Sequence, residues 1–328
     1  MFVSCNIKNL FVWPGFTTFA SIIMSNAFWK WFLFVILCFI WGSSFKLMRD
    51  GTASMTAAQV AALRIFSAGL VFVPFAFFHL RTIPKKKLGI VILSAVVGNL
   101  IPAFLFAAAL TKIDGSLGGI LNSLTPICVV ITGILLYRDK IKTQKILGVI
   151  IGFAGLALLI LSPVITGEKS ISFENPGHLL LIVAATFLYG INVNMVSHLL
   201  KGMNPVHVAT VSLSFMTIPS LLALWQQNFL DLNFKSSETQ YAVFAVIILG
   251  IFGSAIATVL FYMLVRRAGG LFASLVTYGI PFVALFWGVI DNEKIGLLQI
   301  ICLFIILSGV YLANRPEKNN RANTGTVQ

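Results

Sequence analysis

Residues 115–141 read GSLGGILNSLTPICVVITGILLYRDKI, and residues 270–295 of the same chain read GLFASLVTYGIPFVALFWGVIDNEKI. Each stretch begins with glycine, has a proline 11 positions later, and ends in an acid followed by Lys-Ile. The apolar run in each is about 20 residues long, which is the helix length that crosses a bilayer core of about 30 Å. The pair therefore predicts a membrane protein that contains an internal repeat.

The composition points to the same class. Of the 328 residues, 58% are apolar and 10% are charged, and the mean hydropathy is +0.96. A soluble globule cannot bury that much apolar surface, so a cytosolic enzyme, a disordered regulator and a disulfide-stapled secreted module are excluded. The four cysteines are far apart and form no CxxC pair or Cys/His cluster, so we expect no metal and no cofactor.

Apolar runs separated by short polar connectors recur along the chain. We predict an all-α polytopic membrane protein with ten transmembrane helices, because lipid offers backbone groups no partners. The predicted spans are approximately residues 31–48, 57–80, 88–111, 116–137, 145–163, 177–199, 205–226, 240–265, 271–290 and 295–314.

The chain divides into two halves with a short connector. We expect residues 1–23 to be an N-terminal extension, with the mature chain beginning at Met24, because Leu10 to Met24 is too short to span and contains Trp-Pro-Gly. The first repeat then covers residues 24–163, an extracytoplasmic connector covers 164–176, and the second repeat covers 177–315. Residues 316–328 form a polar cytoplasmic tail.

The charges divide unequally between the two sides of a ten-span topology. Loops and ends on one side carry 16 Lys and Arg with two acids, whereas the other side carries six with eight acids. Because cytoplasmic loops have an excess of Lys and Arg, both termini are expected in the cytoplasm. The net charge of +13 is thus a topology signal, and it does not indicate a nucleic-acid partner.

The two halves match in order, at offsets that change only at loops. The matches are Trp41-Gly42 with Tyr189-Gly190, Gln59-Val60-Ala61 with His207-Val208-Ala209, Gly98 with Gly253, Phe106 with Phe261, Gly115 with Gly270, Pro126 with Pro281, and Gly155 with Gly309. Each repeat has five spans, and an odd number inserts the second repeat upside down. Inverted repeats are typical of secondary transporters, whose substrate site lies near the midplane between the halves.

The chain resembles the drug/metabolite transporter (DMT) superfamily, specifically its EamA-type members. The resemblance rests on Trp41-Gly42-Ser43-Ser44-Phe45, Leu63-Arg64-Ile65-Phe66, and the Pro126 span followed by Gly148 and Gly155. It implies a ten-helix bundle in which spans one to four and six to nine surround a central cavity, with spans five and ten peripheral. It also implies transport of small organic solutes, commonly export of amino acids or related metabolites.

Spans four and nine carry matching stripes of small and polar residues at helical spacing. Gly115, Gly119, Asn122 and Pro126 form the first stripe, and Gly270, Ser274, Thr277 and Pro281 form the second. Such a stripe suits a cavity wall, because small residues leave room and proline frees a backbone carbonyl. Close packing between helices explains the small residues equally well. We assign the glycines, Ser274 and the prolines to packing or kinks, and Asn122 and Thr277 to the cavity.

Spans one and six place aromatic and polar residues at equivalent positions. Trp41 with Ser44, and Tyr189 with Asn192, can hold an amphipathic metabolite by a flat face and a polar end. Interfacial anchoring or hydrogen bonding between helices is the alternative. Three weaker candidates complete the predicted cavity: Asn99, Tyr262 and Tyr278.

Arg64 lies about 10 Å into span two at 1.5 Å per residue. Charges inside a membrane are rare and face the bundle interior, so Arg64 is a candidate ligand for a substrate carboxylate or phosphate. The alternatives are snorkelling to the surface or a structural pair with Asp50 or Asp114.

Absent motifs narrow the function further. No acid lies in the middle of a span, which disfavours proton coupling through a buried carboxylate, and no motif of a membrane-embedded enzyme, P-loop pump or channel filter is present. We expect a transporter, not an enzyme, in the bacterial inner (cytoplasmic) membrane, with a small-molecule substrate and the lipid bilayer as partners. A flippase for a lipid or lipid-linked intermediate on the same scaffold is the alternative.

Overall fold

The computed structural model describes residues 26–112, 118, 121–165, 167, 176–290 and 296–315, and the regular structure found there is helical. We number the helices α1 to α10 in chain order. They are α1 Asn26–Thr52, α2 Ala57–Leu80, α3 Lys85–Ala109, α4 Thr125–Tyr137, α5 Thr143–Ile165, α6 Pro176–His198, α7 Pro205–Gln226, α8 Ser237–Ala268, α9 in two segments (Gly270–Ser274 and Val276–Ile290), and α10 Leu297–Asn314. Met24 and the tail at 316–328 lie outside the described residues.

The helices agree with an integral membrane protein. Eight helices in the described part of the chain are long and apolar enough to cross a bilayer, and two further apolar helices, α4 and α9, are shorter. Helices α2 and α7 coincide with the predicted spans 57–80 and 205–226. The predicted fourth span starts at residue 116, whereas α4 begins at Thr125; of the residues between them, 116, 117, 119 and 120 lie outside the described part.

Local sequence signals set the helix ends. Thr56 caps α2, because its hydroxyl accepts a hydrogen bond from the Gln59 N–H (3.2 Å) while the Gln59 side chain accepts one from the Thr56 N–H (2.9 Å). Asn204 caps α7 by accepting from the Val206 N–H at 3.0 Å, and a proline fills the first position of that helix. These caps satisfy backbone donors that lipid cannot.

Contacts between the helices occur in pairs in which the two halves exchange roles. Helix α2 packs along its repeat-equivalent α7, and α5 packs along its repeat-equivalent α10. Helix α4 packs on α6, and the equivalent contact is that of α9 with α1. Helix α3 also packs on α6, and the equivalent contact is that of α8 with α1. Close approaches follow the same rule: a methyl group on Gly42 would lie 2.7 Å from the Val283 Cβ, and one on Gly190 would lie 2.9 Å from the Cys128 Cβ. These two contacts join repeat-equivalent residues.

Two of the described helices contain a π-helical segment. The segments are Val96–Leu100 in α3 and Leu249–Ile256 in α8. They overlap when the two repeats are aligned in sequence at an offset of 155 residues. A π-helical turn re-aims the side chains that follow it, and such turns are frequent at functional sites. Both segments border the cavity described next.

Candidate functional site: a cavity between the two halves

A cavity of about 190 Å³ lies between the halves of the bundle. Its wall comes from α1, α2, α3, α6, α8 and α9 and from the residues around the start of α4. Nine of the ten predicted cavity residues line it: Trp41, Ser44, Arg64, Asn99, Asn122, Tyr189, Asn192, Tyr262 and Thr277. The tertiary fold therefore gathers residues from both halves of the sequence around one space.

Two aromatic pairs line the cavity. The rings of Trp41 and Phe261 lie 5.5 Å apart, and those of Tyr189 and Phe106 lie 6.0 Å apart. Trp41 corresponds to Tyr189 between the repeats, and Phe106 corresponds to Phe261, so the pairs are equivalent. These flat apolar ring surfaces suit the apolar part of a ligand.

Glycines in the π-helical segments let polar side chains approach the backbone. A methyl group on Gly253 would lie 2.7 Å from the Ser44 Oγ, and one on Gly98 would lie 2.1 Å from the Asn192 Nδ2. Ser44 and Asn192 are again repeat-equivalent. The Trp41 Nε1 also donates a hydrogen bond to the Gly253 carbonyl at 3.1 Å, which fixes the indole against α8.

Arg64 places a cation in the cavity wall. Its Nε donates to the Ser254 hydroxyl at 2.7 Å, and the Tyr189 hydroxyl is close enough to interact electrostatically. Among the residues that the structure describes, no carboxylate pairs with Arg64 and the two Nη groups have no partner. A structural pair with Asp50 or Asp114 was one alternative from the sequence. The Asp50 carboxylate accepts a hydrogen bond from the Tyr241 hydroxyl at 3.0 Å, and Asp114 lies outside the described residues.

The charge breaks the symmetry of the cavity. The repeat-equivalent of Arg64 is Ser212, which is fully buried and donates to the Ala209 carbonyl of its own helix. The cation therefore has no counterpart in the second half. An anionic group of a ligand would be drawn to the α2 side of the cavity.

Two buried polar atoms at the cavity lack hydrogen-bond partners. In the described part of the chain these are the Asn192 Oδ1 and the Tyr262 hydroxyl, on side chains that are 5% and 2% exposed. Ser94 and Asn192 are polar neighbours of the Tyr262 hydroxyl, but neither meets it with hydrogen-bond geometry. An unpaired buried polar group costs about 1–3 kcal/mol, so these atoms mark where a polar group of a ligand, or water, belongs.

Comparison with known proteins decides the family. The sequence profile of the EamA-like transporter family matches residues 28–161 and 176–315. The chain belongs to the EamA-like transporter family. Relatives are a WAT1-related chloroplastic protein of Arabidopsis thaliana (26% identity, 90% of this chain and 72% of the relative) and an uncharacterized transporter of Archaeoglobus fulgidus (23%, 88% and 99%). A solved crystal structure shares the fold with a TM-score of 0.65, at 17% identity over 86% of this chain and 95% of that one.

One predicted cavity residue of this EamA-like transporter lies elsewhere. Tyr278 is fully buried between α9 and α5, where its hydroxyl donates to the Val149 carbonyl at 2.9 Å and its ring covers Gly152. Tyr278 follows Thr277 directly in the sequence, but adjacent residues on a helix point about 100° apart. Thr277 therefore lines the cavity, whereas Tyr278 faces α5.

The residues assigned to packing and kinks divide between several roles. Ser274 lines the cavity, and Gly270 lies against α6, where a methyl group would be 2.8 Å from the Val193 Cγ1. Pro126 lies in the first turn of α4, and Pro281 lies within the second segment of α9. Gly115 and Gly119 lie outside the described residues.

Several cavity residues were not among the sequence candidates. Phe106 and Phe261 line the cavity, but in the sequence they were noted only as a match between the repeats. The presence of an aromatic residue at equivalent positions of both repeats could have identified them as cavity residues. Thr258 lines the cavity and was also missed, and its hydroxyl donates to the Asn99 Oδ1 at 3.4 Å. Ser254 is not a lining residue, but it accepts the hydrogen bond from Arg64 and was missed as well. A single serine or threonine within an apolar run gives no sequence signal of its own.

Proposed function

We propose that this chain is a secondary transporter that exports a small organic metabolite, an amino acid or related solute, by alternating access of two inverted repeats. Family membership supports transport, and the paired contacts between the halves support a rocking motion about the α2–α7 contact. In this proposal all ten helices cross the membrane, with α4 and α9 as the short crossings and both termini in the cytoplasm of a bacterial cell. The repeats are residues 24–163 and 177–315.

The substrate site is assigned to the central cavity because several polar groups there have no hydrogen-bond partner among the described residues. Arg64 offers a cation with two free Nη groups, and Asn192 and Tyr262 offer buried polar atoms without partners in the described part of the chain. A ligand with an anionic group, a hydrogen-bonding group and an apolar body satisfies all of these together. The aromatic pairs would contact the apolar body.

A metabolite screen with a matched pair of variants tests this proposal. Cells that overproduce the chain are compared with cells carrying Arg64→Gln or Arg81→Gln, and metabolites are measured in medium and cytosol. Arg81 follows α2, is exposed and stacks on the Phe77 ring with its guanidinium carbon 4.4 Å from the ring centre. Hydrogen bonds to a charged group contribute about 1.5–3 kcal/mol, so Arg64→Gln should weaken apparent affinity roughly tenfold to a hundredfold.

The expected result is a metabolite that accumulates in the medium with the unmodified chain and with Arg81→Gln but not with Arg64→Gln. Membrane levels of the two variants must match for the comparison to hold, and counterflow by the purified protein in liposomes confirms that the effect is direct. A saturable flux that is equal in both variants would contradict the assignment of Arg64 to the substrate.

A further inference from the structure

A lysine side chain is enclosed at the end of the bundle where α1 and α9 begin and α10 ends. Lys30, near the start of α1, is half-buried, and its Nζ donates a hydrogen bond to the Asn314 Oδ1 of α10. The same ammonium lies 4.2 Å from the ring centre of Phe272 in α9 and 5.4 Å from that of Trp31. Ring faces attract a cation but do not neutralise its charge. In the described part of the chain, Lys30 is therefore held by neutral groups.

A second lysine lies beside the first. Lys145, near the start of α5, is also half-buried, and its ammonium is close enough to repel that of Lys30. Among the residues that the structure describes, no carboxylate pairs with either ammonium. Two half-buried like charges without a counter-ion destabilise each other, so an anion that contacts both of them would be bound favourably.

Tryptophan side chains show the depth of this lysine pair in the membrane. Trp29 and Trp31 are both exposed and flank Lys30 in the sequence, and tryptophan is enriched at the level of the lipid headgroups. Arg267, at the end of α8, lies over the Trp29 ring with its guanidinium carbon 5.8 Å from the ring centre, and its Nη1 donates to the Asn26 Oδ1 at 3.2 Å. The lysine pair is therefore expected where lipid headgroups are, with a further cation at the same level.

The anion that fits this position is the phosphodiester group of a phospholipid. Its two non-bridging oxygens can accept hydrogen bonds from both ammonium groups at once, and it is found at the depth that the tryptophans mark. A headgroup with an ammonium of its own would bring a third cation to the pair, so phosphatidylglycerol is favoured over phosphatidylethanolamine. In the topology proposed above, this end faces the cytoplasmic leaflet, whose anionic lipids attract Lys and Arg.

The two lysines belong to parts of the bundle that have few contacts with each other. Helices α5 and α10 pack mainly on each other and touch α9 only at a few positions, whereas α1 packs on α8 and α9. Lys145 belongs to α5 and Lys30 to α1. A phosphate that contacts both lysines would therefore connect the α5–α10 pair to the remaining helices, in addition to the bond from Lys30 to Asn314.

We propose that Lys30 and Lys145 bind the phosphodiester group of an anionic phospholipid, and that this lipid stabilises the contact of the α5–α10 pair with α1 and α9. Both ammonium groups attract the headgroup, so loss of the pair should weaken binding roughly tenfold. The site is separate from the central cavity, so its test does not depend on the transport function proposed above.

Lipid binding by the full chain in detergent tests this proposal with two double variants of equal net charge. Lys30→Gln with Lys145→Gln removes the pair, whereas Lys86→Gln with Lys201→Gln removes two exposed lysines elsewhere. Native mass spectrometry measures the affinity for dioleoyl phosphatidylglycerol, and thermal unfolding measures the effect of that lipid on stability. For the unmodified chain and the control, phosphatidylglycerol should raise the melting temperature by about 2–4 °C more than phosphatidylethanolamine does. Without the pair this difference should vanish, and the affinity should be roughly tenfold lower.

A charge reversal gives a second test in which stability is gained. In Lys145→Glu the new carboxylate would pair with Lys30 and take the place of the phosphate. In phosphatidylethanolamine this variant should melt at the temperature that the unmodified chain reaches in phosphatidylglycerol, and added phosphatidylglycerol should raise it no further. Lys86→Glu is the control and should keep the response of the unmodified chain. If Lys145→Glu were less stable than the unmodified chain in phosphatidylethanolamine, the proposal would be contradicted.

Three other outcomes would overturn the inference. Equal loss of phosphatidylglycerol binding in the two double variants would mean that surface charge alone attracts the lipid. An equal rise in melting temperature with inorganic phosphate or glycerol phosphate at the same concentration would mean that a soluble anion, and not a lipid, occupies the position. Stronger phosphatidylglycerol binding in Glu317→Gln would mean that the tail, which lies outside the described residues, already supplies the anion.

Discussion

The Nε of Arg64 donates a 2.7 Å hydrogen bond to the hydroxyl of Ser254, and this bond joins α2 to the π-helical segment of α8. It fixes one edge of the guanidinium while the Nη groups have no partner among the described residues. Because α2 belongs to the first repeat and α8 to the second, the bond also couples the cation to the relative position of the two halves. The orientation of the guanidinium thus depends on a residue 190 positions away in the chain.

Removing the Ser254 hydroxyl should weaken substrate binding without unfolding the protein. In Ser254→Ala the guanidinium keeps its charge but loses its positioning bond, and a hydrogen bond to a charged group contributes about 1.5–3 kcal/mol. We expect the half-saturation concentration in counterflow to rise about tenfold, with a smaller change in maximal rate. The matched control is Ser212→Ala at the position equivalent to Arg64, where the hydroxyl bonds only its own helix. A control that loses affinity to the same degree would argue against positioning by Ser254.

Two tyrosines should respond in opposite ways to the same substitution. Tyr262→Phe removes a buried hydroxyl that has no partner in the described part of the chain, so stability should not fall and should rise if the unpaired group is costly, while substrate affinity falls roughly threefold to tenfold. Tyr278→Phe removes the bond to the Val149 carbonyl, so unfolding should become easier by about 1 kcal/mol with affinity unchanged. Thermal unfolding and counterflow on the same preparations separate the effects; reduced affinity in Tyr278→Phe would contradict the position of Tyr278 outside the cavity.

The contact between α5 and α10 should not tolerate a methyl group. At Gly309 a Cβ would lie 2.3 Å from the Gly152 N and 2.6 Å from the Gly148 carbonyl oxygen, and backbone atoms cannot rotate away. Gly309→Ala should therefore destabilise the protein by about 1–3 kcal/mol or lower its yield in the membrane. Gly89→Ala is the control, because Gly89 is exposed within α3 with no atom near its Cβ position. Equal melting temperatures would show that the helices can move apart at no cost.

Transport should proceed without a proton current linked to the substrate. No acidic residue lies in the middle of a predicted span, and among the described residues no carboxylate pairs with the one cation of the cavity. Without an intramembrane acid the simplest mode is facilitated transport or exchange. Liposomes containing a pH-sensitive dye report this directly: counterflow should leave the internal pH unchanged, and acidification that requires both protein and substrate would refute it.

Much of the fold could be predicted from the regular recurrence of apolar runs along the sequence. The apolar runs predicted α2 and α7 to the residue, because Thr56 and Asn204 are capping residues directly before them. The start of α4 was harder to predict, since a proline in a membrane helix is compatible with either a kink or a helix start. Repeat matching also found the glycines at which helices approach closely, such as Gly98 and Gly253.

The sequence by itself determined the class of protein, its internal duplication and most of the residues that surround the cavity, since those depend on local patterns of apolar, small and polar residues. Only the tertiary structure decided which of these residues meet. It turned Tyr278 away from Thr277 and brought Ser254 of the second half to Arg64 of the first half. The reason is physical: partners 190 or more residues apart are chosen by helix packing, which no single stretch of sequence encodes.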